Sequence, residues 1–369
     1  MIVGVPRETK EGEHRIAVTP DGVRELHTRG HRVLVERGAG EDSSIHDGEL
    51  AAAGAELVTA EDAWAAELVV KVKEPQPREF AFLRADMVLF TYLHLAAHPD
   101  VADALLAAKT VGVAYETVQA EDGSLPLLAP MSEVAGRMAA QVGAHFLERE
   151  SGGRGVLLGG APGVRPARVV VLGAGSVGWN AAWIAAGMEA EVILLDRDIE
   201  RLRRAEQMHR DRILTLSSNR GAIERSVESA DLLVGAILVP GGRTPTLVTE
   251  DMVRGMKRGA VIVDVAVDQG GCVETIRETT HADPVYEQHG VLHYAVGNIP
   301  AAVPHTSTYA LTNATLRYVV AIAEHGLRAA VVADPELRGG VNTAGGEVVN
   351  EAVAEALGRS AVDLSIALA

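Results

Sequence analysis

The sequence has few of the residues that mark disulfide-bonded or membrane-spanning proteins. Its 369 residues include one cysteine, Cys272, so no internal disulfide can form and a reducing compartment is expected. No apolar run approaches the ~20 residues that cross a bilayer. The N-terminus "MIVGVPRETK" is charged early and lacks the apolar core of a signal peptide. We therefore predict a cytoplasmic protein with no membrane partner.

Positive charge and aromatic side chains are also scarce. Lys and Arg number 34 against 50 Asp and Glu, which gives a formal net charge of −16. Nonspecific nucleic-acid binding needs clustered cations that displace counterions, so nucleic acid is not an expected partner. Net charge does not exclude a small anion held by local cations. Aromatics make up 4% of residues, so the core is expected to consist of Val, Leu, Ile and Ala.

Short β-branched segments alternate with longer helical ones along the chain. "IVGVP", "HRVLVE", "LVVKVK", "DMVLFTYL" and "TVGVAYE" are predicted strands, and a second series begins at "RVVVLGAGSVG". This alternation predicts βαβ units, and apolar strands suit sheets covered on both faces. We predict an α/β fold with two doubly wound, Rossmann-like, mainly parallel domains. A long helix starting near Ser132 would link them, and a helical segment from about residue 305 would return to the first.

"VVVLGAGSVGWNAAWIAAGMEAEVILLD" contains Gly173, Gly175 and Gly178 in G-x-G-x-x-G spacing between a strand and a helix. The first glycine permits the tight turn, the second lets the backbone approach a pyrophosphate, and the third allows close helix–strand packing. Asp196 closes the next strand, where an acid binds the ribose hydroxyls of NAD. Arg197 beside it can instead serve the extra phosphate of NADP. The pattern predicts a dinucleotide site.

Ionisable residues follow several predicted strands, where parallel sheets bind ligands. "VVKVKEP" ends in Lys73, "MVLFTYLHLAAH" reaches His94, "VIVDVAVDQGGC" reaches Asp268, and Arg15 lies in the loop after "IVGVP". A guanidinium grips carboxylates, a lysine polarises a carbonyl oxygen, and a histidine exchanges protons near neutral pH. The set suits oxidation of an amino or hydroxy acid by NAD. Lys71 is interpreted either as an exposed lysine at the edge of the sheet or as a structural or supporting residue.

Other ionisable residues have structural interpretations. Asp264 can cap a turn or face a neighbouring strand, and His14 and His98 are predicted on the surface. Cys272 is interpreted as a small buried residue, since no partner base is evident. His94 alone could be a hydrogen-bonded core histidine. No metal site is predicted.

Several further segments resemble bacterial L-alanine dehydrogenases. They include "VGVPRETK", "HRIAVTP", "KVKEP", "FTYLHLAA", "AYETVQ", "LPLLAPMSEVAGRMAAQVGA", "VLGAGSVG", "GAILVPG", "VDVAVDQGGC" and "VPHTSTYALTNAT". The resemblance covers essentially the whole chain. It implies reversible, NAD-linked oxidative deamination of L-alanine to pyruvate and ammonium, by a homo-hexamer. It also implies a discontinuous substrate domain, 1–126 plus 305–369, around an NAD domain at 127–304.

The resemblance assigns roles to individual residues. Arg15 and Lys73 would bind the substrate, His94 would be the acid/base, and Asp268 would handle the amine or the attacking water. The implied NAD-binding residues are Ser132, Gly173, Gly175, Ser176, Val177, Gly178, Asp196, Arg201, Ser218, Ile237, Leu238 and Asn298. Ile299 departs from the family, which usually has methionine there, and this puts the details of cofactor packing in question.

Two related functions remain open from the sequence. One is the soluble NAD(H)-binding subunit of a proton-translocating transhydrogenase, which has no need of an amino-acid site. The other is a dehydrogenase of the saccharopine or carboxyethylornithine type, which requires room for a longer substrate.

Overall fold

The computed structural model describes residues 1–208, 212–237 and 244–368. They form two compact units, the first comprising Met1–Met131 and Val303–Ala369 and the second Ser132–Ala302. Within the described ranges, no helix is long and apolar enough to cross a membrane.

The first unit begins with alternating strands and helices. They are β1 (Ile2–Val5), α1 (Pro20–Thr28), β2 (Arg32–Glu36), α2 (Asp47–Ala53), β3 (Glu56–Val58), α3 (Ala60–Trp64), β4 (Leu68–Val70), β5 (Val88–Thr91), α4 (Pro99–Ala108) and β6 (Val111–Ala114). These strands pair in parallel in the order β3-β2-β1-β4-β5-β6. Residues of both strand faces are buried, as in β4, because helices cover the sheet on both sides.

The second unit repeats this plan. Its elements are α5 (Ala129–Phe146), whose first three residues belong to the first unit, β7 (Arg168–Leu172), α6 (Ser176–Gly187), β8 (Glu191–Asp196), α7 (Ile199–Met208), β9 (Ile213–Ser217), α8 (Arg220–Ser229), β10 (Leu232–Gly235), α9 (Glu250–Arg254), β11 (Val261–Asp264), β12 (Val285–Gln288) and β13 (Val291–Tyr294). Among the described residues the strand order is β12-β13-β11-β10-β7-β8-β9, with only β12 antiparallel. The predicted fold class is confirmed.

Helix α5 begins earlier than the sequence predicted. It starts at Ala129, so Ser132 lies inside its first turn and does not begin it. Pro130 is tolerated there because the first helical N–H groups have no intrahelical acceptor in any case.

The C-terminal segment is only partly helical, which corrects the predicted all-helical return. Its elements are α10 (Pro304–Ala333), α11 (Pro335–Gly340), β14 (Val341–Ala344), β15 (Glu347–Val348), α12 (Glu351–Ala356) and α13 (Leu364–Ala367). Strand β14 pairs antiparallel with β6 and with β15. Gly345 and Gly346, at φ 61° and 92°, form the hairpin turn. Strands this short show no periodicity that the sequence analysis could detect.

The strand order reverses once in each parallel series. In the first unit the reversal lies between β1 and β4, and in the second it lies between β7 and β10. Connections from the two strands at such a point leave in opposite directions and open a crevice at their carboxyl ends. The residues that follow these four strands are therefore the candidates for ligand binding.

Candidate active site

Arg15 lies in the loop after β1 and is almost completely buried. Its Nε and Nη2 donate to the two oxygens of Glu13, at 2.6 and 2.5 Å, and Nη1 lies 2.8 Å from Met131 Sδ. Burial alone would raise the pKa of Glu13, but hydrogen bonds from Arg15 lower it to about 2. The pair is therefore ionised, and Glu13 fixes the direction of the guanidinium.

Two hydroxyl residues hold the backbone on either side of Arg15. Ile16 N donates to Thr308 Oγ1 at 3.2 Å, and Ser43 Oγ donates to the carbonyl of His14 at 2.8 Å. The hydroxyls of Ser43 and Thr308 are 3.1 Å apart. The loop after β1 is thus tied to α10, a contact between residues distant in sequence that no local pattern predicts.

Lys71 and Lys73 have different environments although they are two residues apart. Strand β4 ends at Val70, but the hydrogen bonds to β5 continue through Lys71 N and Val72 O, at 3.1 and 3.2 Å. The Lys71 ammonium is fully buried between Glu8 and Glu79, at 3.2 and 3.3 Å. Lys71 is therefore not an exposed lysine at the edge of the sheet, because its charge is enclosed by two acids.

The half-buried Lys73 has no carboxylate within 4.0 Å in the described part of the chain. Its Nζ lies 5.8 Å from the ring centroid of Tyr92. Burial, and then the charges of Arg15 and Lys10, lower the pKa of Lys73. An anion placed beside it would relieve both effects.

His94 follows β5 and has a left-handed backbone, with φ 47°. The Glu116 carboxylate accepts from His94 N at 2.6 Å and from Leu93 N at 3.3 Å, which holds this turn. The imidazole stacks on Tyr92 with the ring centroids 5.5 Å apart and the planes nearly parallel. Burial, and then the charge of Lys73, lower the pKa of His94 to about 3. The ring is therefore neutral at physiological pH and can accept a proton.

Glu74 is a buried carboxylate that the sequence analysis missed. Its Oε1 accepts from Lys10 Nζ at 2.5 Å, and His98 Nε2 is 3.6 Å away. Oε2 is buried with no hydrogen-bond partner among the described residues. The sequence could have indicated Glu74 by its position, because it directly follows the predicted substrate-binding residue Lys73. The acids Glu8 and Glu13 lie similarly close to Arg15 in "PRETKEGEHR".

The glycine loop of the second unit leaves no space for side chains at two of its three glycines. An ideal Cβ on Gly173 would lie 2.5 Å from Ala236 O, and one on Gly178 would lie 1.7 Å from Gly173 O. A Cβ on Gly175 would have Arg201 Nη1, at 3.7 Å, as its nearest neighbour. The backbone at Gly175 is therefore open, and α6 begins at the next residue with its N–H groups available to an anion.

Asp196 lies at the end of β8 beside this loop. Its carboxylate accepts from Ala174 N at 2.6 Å and from Asp198 N at 2.8 Å. Arg201 Nη1 is 3.9 Å from Asp196 Oδ2, and Ser218 N donates to the Asp196 carbonyl at 2.8 Å. Each carboxylate oxygen retains a second lone pair, which suits a ribose hydroxyl. The open backbone, the helix N-terminus and this acid fit an adenine dinucleotide.

Other predicted cofactor residues lie around the same crevice. Ser176 and Val177 form the first turn of α6, and the Cδ1 of Ile237 would lie 3.0 Å from a Cβ on Gly173. Ser132 lies one turn before Gly136 on α5, and a Cβ on Gly136 would clash with Val177 O at 2.2 Å. Leu238 falls outside the described residues.

Asp268 and Asn298 are brought together after β11 and β13. Asp268 lies in an exposed 3₁₀ turn, and Asn298 has a left-handed backbone, with φ 55°. A Cβ on Gly297 would meet Asp268 Oδ1 at 3.2 Å and Glu278 Oε1 at 2.4 Å. Glycine at position 297 therefore leaves space for the carboxylates of Asp268 and Glu278. Glu278 was not predicted from the sequence.

Asp264 and Cys272 have structural roles, as interpreted from the sequence. The buried Asp264 carboxylate accepts from Ala266 N at 3.0 Å and Cys272 N at 2.7 Å, so it caps the turn before Asp268. Burial, and then Asp264, raise the pKa of the Cys272 thiol, which is therefore not reactive.

This fold and these sites define a class, the two-domain oxidoreductases that bind a nicotinamide dinucleotide. Family models described as "Alanine dehydrogenase/PNT, N-terminal domain" and "C-terminal domain" match residues 4–135 and 139–351. The chain belongs to the alanine dehydrogenase/PNT family, as the resemblance in its motifs implied.

Individual relatives cover nearly the whole chain. It is 55% identical to alanine dehydrogenase of Mycobacterium tuberculosis (97% of each chain) and 53% identical to that of Bacillus subtilis (100% of this chain, 98% of the relative). A solved L-alanine dehydrogenase matches with TM-score 0.95 and 49% identity, over 97% of this chain and 99% of the other. A transhydrogenase from Sinorhizobium meliloti matches with TM-score 0.82 and 25% identity, over 95% and 100%.

Proposed function

We propose that this protein catalyses the reversible, NAD-dependent oxidative deamination of L-alanine to pyruvate and ammonium. Relatives named alanine dehydrogenase are 50% to 55% identical to it, against 25% for the matching transhydrogenase. The first unit would then be the substrate domain and the second the NAD domain.

One observation carries the proposal beyond family membership. Among the Lys and Arg side chains that follow β1 and β4, the half-buried Lys73 and the exposed Arg78 have no carboxylate within 4.0 Å in the described residues, and Arg78 donates to the Thr9 carbonyl at 2.8 Å. The others pair as Arg7–Asp42, Lys10–Glu74, Arg15–Glu13, Arg84–Asp86 and Lys71 with Glu8 and Glu79. A substrate that carries a carboxylate supplies the missing anion, whereas a module that binds only nucleotides has no use for this arrangement.

Four charged or ionisable side chains supply the substrate chemistry in this proposal. Lys73 and Arg15 hold the carboxylate and the carbonyl oxygen of pyruvate, or the carboxylate of L-alanine. Neutral His94 takes a proton from the water that adds to the imine carbon, and returns it as the carbinolamine loses ammonia. Asp268 favours the cationic imine by its negative charge.

The proposed NAD-binding set uses backbone and side chains of the second unit. When bound, NAD supplies the acceptor for the hydride that leaves the substrate Cα. Gly175, Ser176 and Val177 present N–H groups to the pyrophosphate, and Asp196 accepts from the ribose. The remaining proposed contacts are Ser132, Gly173, Gly178, Arg201, Ser218, Ile237, Leu238 and Asn298.

The test measures NADH formation at alkaline pH with L-alanine, against glycine, L-serine, L-ornithine and no amino acid. We expect turnover to be fastest with L-alanine and NAD, and slower with NADP because Asp196 repels the added phosphate. Absence of turnover with L-alanine would overturn the proposal. Binding of NADH without amino-acid-dependent turnover would instead support a transhydrogenase module.

A homo-hexameric, cytoplasmic state belongs to the same proposal, and it rests on family resemblance. Light scattering coupled to size-exclusion chromatography is expected to give about six times the 38.8 kDa chain mass. A monomeric mass would contradict it.

A further inference from the structure

Lys71 is a buried charged residue that the proposed reaction does not use. Its side chain and those of Glu8 and Glu79 are each at most 3% exposed. Its Nζ is also 5.7 Å from the ring centroid of Trp64. Buried charges are unfavourable unless they are paired, so this cluster combines one ammonium with two carboxylates that both need it.

The Glu8 carboxylate contacts the Lys71 ammonium and the backbone of Lys73. Its Oε1 accepts from Val72 N at 2.7 Å, and its Oε2 accepts from Lys73 N at 3.3 Å. The same Oε2 lies 3.2 Å from Lys71 Nζ. An acid that contacts the backbone of Lys73 thus forms its ion pair with Lys71, and Lys73 has no acidic partner within 4.0 Å in the described chain.

The second carboxylate of the cluster, Glu79, binds a backbone N–H group as well as Lys71. Glu79 Oε2 accepts from Gln76 N at 2.7 Å, and its Oε1 faces Lys71 at 3.3 Å. Without Lys71, Glu8 would lose the only cation within 4.0 Å of it among the described residues, and burial would favour its protonated form unless Lys73 paired with it. Burial, and then the charges of Arg15 and Lys10, lower the pKa of Lys73, whereas the charges of Glu13 and Glu74 raise it; a pair with Glu8 would raise it further.

We propose that Lys71 is a positioning residue that binds Glu8 and Glu79, withholds the Glu8 carboxylate from Lys73, and so keeps Lys73 available to a substrate carboxylate. The inference rests on the proposed function, because it takes Lys73 as a substrate-binding residue.

Lys71→Met tests this proposal by removing the ammonium while keeping an unbranched side chain. The readout is pyruvate affinity for the enzyme–NADH complex without ammonium, followed by NADH fluorescence between pH 6 and 11. We expect affinity at pH 8 to fall at least tenfold. We also expect the alkaline loss of affinity to move to higher pH, because Lys73 paired with Glu8 keeps its proton longer. Lys109→Met, at an exposed lysine, is the matched control and should bind within twofold of the wild type.

A double variant separates this role from structural damage. In Lys71→Met/Glu8→Gln the competing charge at residue 8 is gone, so pyruvate affinity should return to within threefold of the wild type. The pH at which affinity is lost on the alkaline side should also return to the wild-type value. A purely structural Lys71 predicts no recovery. The proposal is overturned if Lys71→Met binds pyruvate with wild-type affinity and loses it at the same alkaline pH, or if the double variant still binds pyruvate weakly.

Labelling of the wild-type protein tests the inference even where Lys71→Met does not fold. Acetic anhydride competition, read by mass spectrometry, gives the titration of each lysine. We expect Lys73 to titrate below the ~10.4 of an unperturbed lysine, because burial and then the charges of Arg15 and Lys10 lower its pKa, and we expect Lys71 to resist labelling. A Lys73 that titrates above this value would overturn the inference. Labelling needs no ligand, so its result is independent of the assay with L-alanine. Failure of that assay alone would contradict only the proposed function.

Discussion

The two units place their candidate sites at the same point of the fold but build them from different parts of the chain. Both sites follow the strands around a reversal of strand order. In the second unit the glycine loop offers mainly backbone groups to a ligand, since side chains are sterically excluded at Gly173 and Gly178. In the first unit it consists of charged side chains, and nearly every cation has its own acid.

The two sites therefore tolerate different kinds of substitution. A backbone site depends on space and on N–H groups, so added atoms damage it while distant charges do not. A site of paired charges depends on which partner each charge takes, so the loss of one charge redistributes the others. Substitutions in the two units are therefore expected to have different consequences for stability, nucleotide affinity and turnover.

The largest effect is expected for His94→Ala. Loss of a general acid/base lowers kcat by about 10²–10⁴-fold. NADH affinity should stay within threefold of the wild type, because the nucleotide residues belong to the other unit. Steady-state kinetics and NADH fluorescence titration measure the two quantities. Alanine at the exposed His14 is the control, with kcat expected within twofold. Wild-type kcat in His94→Ala would remove this residue from the acid/base role.

An intermediate effect is expected in the glycine loop. Gly178→Ala places a Cβ 1.7 Å from Gly173 O, and overpacking of this kind costs about 1–3 kcal/mol of stability. Gly175→Ala adds a methyl group in open space, so Tm should change little. NADH affinity should nevertheless fall about tenfold, since the methyl group occupies the path of the pyrophosphate.

Gly187→Ala at the end of α6 provides the control for both variants. A Cβ there meets nothing within 4 Å, so stability and NADH affinity should both stay near those of the wild type. Thermal unfolding and NADH titration distinguish the three. Equal loss of stability in Gly175→Ala and Gly178→Ala would contradict the idea that only one of them is sterically closed.

The sequence predicts the backbone site better than the charged one. Glycine spacing, the flanking strand and the acid at Asp196 lie within one short segment, so a local pattern describes the geometry. The acids of the first unit were not singled out, because Glu8 pairs with a lysine 63 residues away and Glu116 holds His94 from 22 residues away. Such partners depend on strand order, which periodicity does not give.

Two local errors have the same cause. The hairpin of β14 and β15 is too short to show alternation, and it is stabilised by pairing with β6, far away in sequence. Helix α5 extends back to Ala129 because proline is tolerated in a first turn, whereas Ser132 was interpreted as the start. Tertiary pairing and position-dependent tolerance decide these elements.

The smallest expected effect concerns the pH dependence of stability. The pKa of His94 is about 3 in the folded protein and ~6.5 when unfolded. Between these values the unfolded chain binds more protons at this residue, so the free energy of unfolding rises with pH through this window. His94→Gln removes this contribution and should reduce the stability difference between pH 5 and pH 7. With the side chain 35% exposed, solvent screening limits the change to less than ~1 kcal/mol. Urea unfolding of both proteins at the two pH values measures it, and an unchanged difference would show that His94 titrates normally in the folded state.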